Sequence, residues 1–135
     1  MTPSVPRRRD VWMVNFNPGR GSEQRGLRPV LVIQNDVGNQ YAATIIVAAI
    51  TSTIRIYPVT VPLKQGQGGL KKPSMVNLAQ ILTVDKSRLR RRVGVLPPEL
   101  INRVDAAIRI SLRRGDLRTS DKEDYVKFAQ RRTWT

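Results

Sequence analysis

A proline-anchored junction limits this chain's fold more than any other stretch. Gly21-Ser22-Glu23-Gln24-Arg25-Gly26-Leu27-Arg28 is polar and glycine-punctuated, and Pro29 joins it directly to Val30-Leu31-Val32-Ile33. A run that is apolar at every residue cannot alternate between core and water. It reads as a strand buried on both faces, central in a sheet. A central strand needs neighbours on both sides, and the sequence supplies them. Val11-Trp12-Met13-Val14-Asn15-Phe16 is rich in β-branched and aromatic residues and stops at Asn17-Pro18-Gly19. Thr44 to Ile50 is again apolar on both faces and ends in three hydroxyls, Thr51-Ser52-Thr53. Ile56 to Leu63 carries Pro58 and Pro62, which donate no ladder hydrogen bond, so it belongs at an edge. Ser74 to Leu82 alternates partly, and Arg90 to Val95 reads as a short basic final strand.

The connections are polar. Asn35 to Gln40 is expected as a turn around Gly38, and Lys64 to Lys72, with three glycines, as a mobile loop. Pro97-Pro98-Glu99 opens a helix, with proline tolerated in the first turn and an acid near the positive end. Leu100, Val104, Ala107, Ile108 and Leu112 recur at helical spacing and form its apolar face. Ser120-x-x-Glu123 is a capping-box pattern, and Tyr125, Phe128 and Ala129 could share a face of a tail helix reaching about Arg132. The fold class is therefore α+β: a small, strongly bent antiparallel sheet or partly open barrel, followed by helices. The division is a disordered basic arm over 1–8, one folded domain over 9–112, and a C-terminal extension over 113–135.

Charge narrows the partners. The 135 residues hold 24 Lys+Arg against 10 Asp+Glu, a net charge of +14, and arginine outnumbers lysine eighteen to six. Such a field attracts polyanions, with nucleic acid the foremost candidate, and arginine suits bidentate phosphate contacts. There is no cysteine and no histidine. That removes thiolate chemistry, Ser-His-Asp catalysis, the paired-histidine route to RNA cleavage and His-ligated metal sites. The acids are scattered, and the glycines at 66, 68 and 69 do not match a phosphate loop. No apolar stretch is long enough to span a bilayer, and no apolar segment follows the N-terminal charges, so a cytoplasmic protein is expected.

One reaction can still run on arginine, hydroxyls and a carboxylate. RNA carries its own nucleophile, the 2′-hydroxyl beside the scissile phosphate. The protein must align it, stabilise the added charge and let protons move. Arg28 opens one apolar strand and Thr51 closes the next, so antiparallel pairing would bring them together. Ordinary structural roles compete: strand-end hydroxyls often bond their local backbone, and Arg88, Arg90, Arg91 and Arg92 read first as a solvated basic face and second as a phosphate track.

Several motifs, in order, resemble the MazF/PemK toxin family. They are Arg9-Asp10-Val11-Trp12 with Asn17-Pro18, Gly21 through Val32, Gln34-Asn35-Asp36, Ala48-Ala49-Ile50-Thr51-Ser52, and Leu78-Ala79-Gln80 onward to Leu89. The resemblance covers roughly 9–112. It implies an SH3-like barrel, MazF/CcdB-like, working as a homodimer without cofactor or metal. It also implies an endoribonuclease that cuts single-stranded RNA at short motifs, leaving a 2′,3′-cyclic phosphate and a 5′-hydroxyl, and an acidic MazE-like antitoxin as partner. The family's catalytic arginine falls on Arg28 and its catalytic hydroxyl on Thr51. Ser22, Glu23, Gln24 and Arg25 fall in the loop lining the RNA groove, with Ser52 and Gln80 also on the RNA side. Arg9 stands where the family often has glycine, and Asn15 and Asn17 stand where it often has acids. Two rivals share these features: a basic RNA-binding module without catalysis, and a CcdB-like gyrase poison, which would use a tryptophan near the C-terminus such as Trp134.

Overall fold

A computed structural model describes residues 5–16, 26–113, 122–124 and 126–127. Among the described residues up to 113, six strands and two α-helices follow one another: β1 (Asp10–Asn15), β2 (Leu27–Val32), α1 (Asp36–Tyr41), β3 (Thr44–Thr51), β4 (Thr60–Leu63), β5 (Ser74–Asp85), β6 (Leu89–Val95) and α2 (Pro98–Ser111). The strands form one sheet in the order β4-β5-β3-β2-β1-β6, every pair antiparallel. The run singled out in the sequence is central as expected, since β2 lies between β1 and β3. β4, the strand with proline inside it, is an edge.

The sheet does not close by hydrogen bonding, because β4 and β6 do not pair. Its curvature comes from irregularities. In the β3–β5 pair, Ala48 faces Ile81 while the next residue, Ala49, faces Asn77. The extra β5 residues form a bulge, which bends a strand and increases its twist. Asn77 Oδ1 accepts the Ala79 N–H inside that bulge. β1 and β6 shift register twice more.

Alternation along the strands builds two apolar clusters. Val11, Leu31, Ala48, Ile50, Val76 and Leu78 lie in one, with Leu100, Ile101, Val104 and Ala107 of α2. Trp12, Val14, Val30, Val32, Ile45 and Val47 form the other. The helix face differs at its end from the expected one: Ile101 is buried and Leu112 is exposed. Leu112 is already the C-cap, where the helical periodicity has stopped.

Two connections are more ordered than the sequence suggested. Asn35 to Gln40, expected as a turn, enters α1, whose N-cap Asn35 accepts the Gly38 N–H. Gln34 and Asn39 brace it: Asn39 Nδ2 donates to Gln34 O, and Gln34 Nε2 donates to Asn39 Oδ1 and Thr44 O. The Lys64–Lys72 loop contains a 3-10 turn, Gln67–Gly69, packed on β6. A Cβ at Gly69 would lie 2.2 Å from Val93 O, and one at Gly94 would lie 2.5 Å from Gly68 O. Only hydrogen at both positions lets the two backbones approach this closely. The contact joins the β4–β5 connection to the opposite edge strand and completes the barrel without a ladder.

Of the basic arm over 1–8, residues 5–8 are described, and they make contacts with the folded domain. Pro6 is buried. Arg8 N donates to Asp36 Oδ1, Arg8 Nε donates to Ile33 O, and its guanidinium pairs with Asp105 on α2. Arg7 N donates to the buried Asp10 carboxylate, which also accepts from Trp12 Nε1. Backbone and charge-assisted hydrogen bonds outweigh the absence of periodicity here. In the extension, residues 122–124 and 126–127 are helical, while Tyr125, Phe128, Ala129 and Trp134 lie outside the described residues.

Candidate active site

The strand ends that the sequence brought forward do converge. β2 and β3 pair Val30 with Ala49 and Leu31 with Ala48. Arg28 and Thr51 each lie two residues beyond the last of these pairs, at the same end of the two strands. On its other side, Arg28 pairs with Val14 of β1. Both Arg28 and Thr51 line a cleft of about 360 Å³ together with Ser52. Met13, Pro29, Ile50, Leu70 and Val93 give it apolar walls, and Lys71, Lys72 and Arg91 add positive charge.

Both residues are held from below. Pro29 fixes the backbone one residue beyond Arg28, and the three residues after it, Val30 to Val32, are fully packed. Thr51 ends a strand whose preceding four residues are buried. Its Oγ1 accepts the Thr53 N–H at 3.1 Å, a local turn bond. The structural role and the chemical one are compatible, because that bond uses an oxygen lone pair and leaves the O–H proton to donate. Arg28 is exposed and Thr51 half-buried, so an anion in the cleft can reach both.

The remaining expected residues separate into three groups. Ser52 joins the cleft. Ser22, Glu23, Gln24 and Arg25 lie outside the described residues. Gln80 lies in the β5 bulge, half-buried, and is not among the residues lining the cleft. Sequence reasoning missed Lys71 and Lys72 as cleft residues and offered Arg91 only as a secondary phosphate contact. The adjacent lysines after a glycine cluster were the available signal, and treating 64–72 as a mobile loop hid it. Of the basic run on β6, Arg91 faces the cleft, Arg92 lies 3.8 Å from Asp10, and Arg90 donates to Ser87 O. Arg88 donates to Asn15 O, tying the end of β1 to the start of β6.

The structure accounts for one departure from the family pattern. Arg9 has φ of 85°, the left-handed region where glycine is at ease. Its side chain holds the strained position, with Nε and Nη2 both donating to Leu96 O at 3.1 and 2.9 Å. Among the described residues, no three His, Cys, Asp or Glu side chains gather as a metal-ligand group. Among the described residues, two carboxylates outside the cleft are held low. Asp36 is held below the ordinary carboxylate range, first by the hydrogen bond from Arg8 N and then by that from Asn39. Asp85 is held low by the Ser87 N–H.

Comparison with known proteins agrees with this architecture. The profile of a family described as the PemK-like, MazF-like toxin of type II toxin–antitoxin systems matches residues 7–112. Endoribonuclease EndoA of Bacillus subtilis is 44% identical over 110 residues, covering 80% of this chain and 95% of that protein. MazF from Deinococcus radiodurans superposes with a TM-score of 0.67 at 25% identity, covering 78% of this chain and 94% of the other. The Mycobacterium tuberculosis toxin MazF-mt6 superposes at 0.68 with 24% identity, covering 80% and 100%. With its six-stranded antiparallel sheet, its arginine–threonine cleft and a profile match across the whole described barrel, the chain belongs to the PemK-like, MazF-like toxins of type II toxin–antitoxin systems.

Proposed function

We propose that this protein is an endoribonuclease toxin that cuts single-stranded RNA at the phosphate held between Arg28 and Thr51. The convergence of these two residues on one cationic cleft carries the reading. Similarity to an endoribonuclease at 44% identity supports the reaction class. The substrate's 2′-oxygen attacks phosphorus, the P–O5′ bond breaks, and the ends are a 2′,3′-cyclic phosphate and a 5′-hydroxyl. The 2′-hydroxyl gives up its proton to water and the leaving 5′-oxygen takes one up, from Arg28 (itself reprotonated by solvent) or from water, so no net proton is consumed. The Arg28 guanidinium stabilises charge on the phosphoryl oxygens in the pentacoordinate state and can donate toward the leaving oxygen. Thr51 donates its O–H to a phosphoryl oxygen and fixes the phosphate's orientation. A guanidinium is a poor proton acceptor near neutral pH, so Arg28 does not serve as the base.

The protein acts as a homodimer, cuts at a short sequence motif, needs no metal, and is neutralised by an acidic antitoxin segment occupying the same cationic cleft. The test is incubation of the purified protein with a defined single-stranded RNA in EDTA, with both new ends mapped. Discrete cuts bearing cyclic-phosphate and 5′-hydroxyl ends are expected. Arg28→Ala and Arg28→Lys should each lose at least about 100-fold in rate, since lysine keeps the charge without the planar fork. Near-normal cleavage by Arg28→Lys refutes the assignment. Binding without cuts would identify an RNA-binding module, and intact RNA with trapped gyrase–DNA complexes a gyrase poison.

A further inference from the structure

The segment between β4 and β5 brings to the cleft two cations that the mechanism does not use. We propose that Lys71 and Lys72 bind RNA phosphates flanking the scissile one, held in place by the glycine contact between the Gln67–Gly69 turn and β6. The inference rests on the nuclease reading for the identity of the central phosphate.

Four observations converge. First, both lysines line the same cleft as Arg28 and Thr51, so a strand whose scissile phosphate sits there passes them. Second, both are exposed, and neither has an ion-pair partner among the described residues. Third, the described residues lining the cleft hold four cations, Arg28, Lys71, Lys72 and Arg91, and no carboxylate. Fourth, the backbone carrying the lysines is fixed at both ends. Leu70 is buried and its carbonyl accepts the Gly66 N–H at 2.8 Å, while Ser74 is buried and its Oγ donates to Lys72 O at 3.0 Å. Behind this lies the close contact of Gly69 with Val93 and of Gly94 with Gly68. Flexible cationic stems on a fixed backbone suit an anion that is repeated and sequence-independent, which describes the phosphate chain of RNA.

The test uses a mixed-sequence RNA that is 2′-O-methylated throughout, so that it binds without a nucleophile. Affinity is measured across a salt series for the wild type, Lys71→Gln/Lys72→Gln and Lys71→Arg/Lys72→Arg. Each phosphate neutralised on a single strand contributes about 0.7 to the log–log salt slope, so the glutamine pair should be shallower by about 1.4. The arginine pair should restore the wild-type slope. An unchanged slope in the glutamine pair overturns the proposal, and so does a loss confined to binding of an acidic peptide. Neutral methylphosphonate linkages beside the mapped cut should weaken the wild type more than the glutamine pair, and equal sensitivity also overturns it. A wild type that binds this RNA yet cuts no natural RNA refutes the nuclease reading. Wild-type cleavage with an unchanged slope refutes the lysine assignment alone.

Discussion

Replacing Gly94 by alanine isolates the contact that joins the sheet's two ends. Gly94 is not in the left-handed region, so alanine meets no backbone penalty there. By itself the substitution would stabilise by about 0.4–1 kcal/mol, by restricting the unfolded chain. Sterically it is another matter. The new Cβ would lie 2.5 Å from Gly68 O, 2.6 Å from Gly68 C and 2.8 Å from Gly69 N, where ordinary contact begins at 3.4 Å. All three atoms are backbone, so no side-chain rotation relieves the overlap. The Gln67–Gly69 turn must move, and Gly68 is itself wedged against Leu96 and Val11, where a Cβ would meet atoms at 2.9 Å. Overpacking of this kind costs about 1–3 kcal/mol, which exceeds the unfolded-state gain. A domain of this size loses about 3–5 °C in melting temperature per kcal/mol. Gly94→Ala should therefore melt several degrees below wild type in calorimetry and unfold at lower urea. Gly66→Ala serves as the comparison: its φ is 92° but a Cβ there would meet nothing within 4 Å, so only left-handed strain applies. A Gly94→Ala protein as stable as wild type would refute the claim that this contact closes the barrel.

Two further predictions concern the N-terminal turn. Arg9→Gly relieves left-handed strain but loses the paired bonds to Leu96 O, whereas Arg9→Ala loses the bonds and keeps the strain. In urea unfolding the order should be wild type, then glycine, then alanine, with the two variants about 1 kcal/mol apart; alanine matching glycine would refute the strain argument. Asp36 is held below its ordinary value of 3.8, so its contribution is fully present above that pH and lost as pH falls through the lower folded value. Melting temperatures of wild type and Asp36→Asn should converge as pH drops below about 3.8, and a gap that stays constant into acid would refute the role given to the carboxylate.

Much of the sheet was legible because its signals are local. Val30 to Ile33 and Thr44 to Ile50 are apolar at nearly every residue, and only a doubly covered strand uses such a run. The meeting of Arg28 and Thr51 followed from antiparallel pairing of consecutive strands. The features that escaped depend on groups far apart in sequence. Gly68, Gly69 and Gly94 spell flexibility when read singly, yet together they let two backbone segments pack in close contact. Lys71 and Lys72 line the cleft beside that contact. The helix α1 has Gly38 in its middle, and it forms because Asn35 caps it and Gln34 and Asn39 brace it. The arm at Arg7 to Arg9 has no pattern of its own, and its order comes from Asp36, Asp105 and the carbonyls of Ile33 and Leu96.

The place of β6 beside β1 also bears on how the protein is made. The cleft takes Met13 from the first strand and Arg91 and Val93 from the last, and the lysine segment leans on that last strand. Synthesis proceeds from the N-terminus, so β1 to β5 emerge before the strand that completes the wall. A nascent chain therefore lacks the β6 wall of this cleft until nearly the whole barrel has left the ribosome.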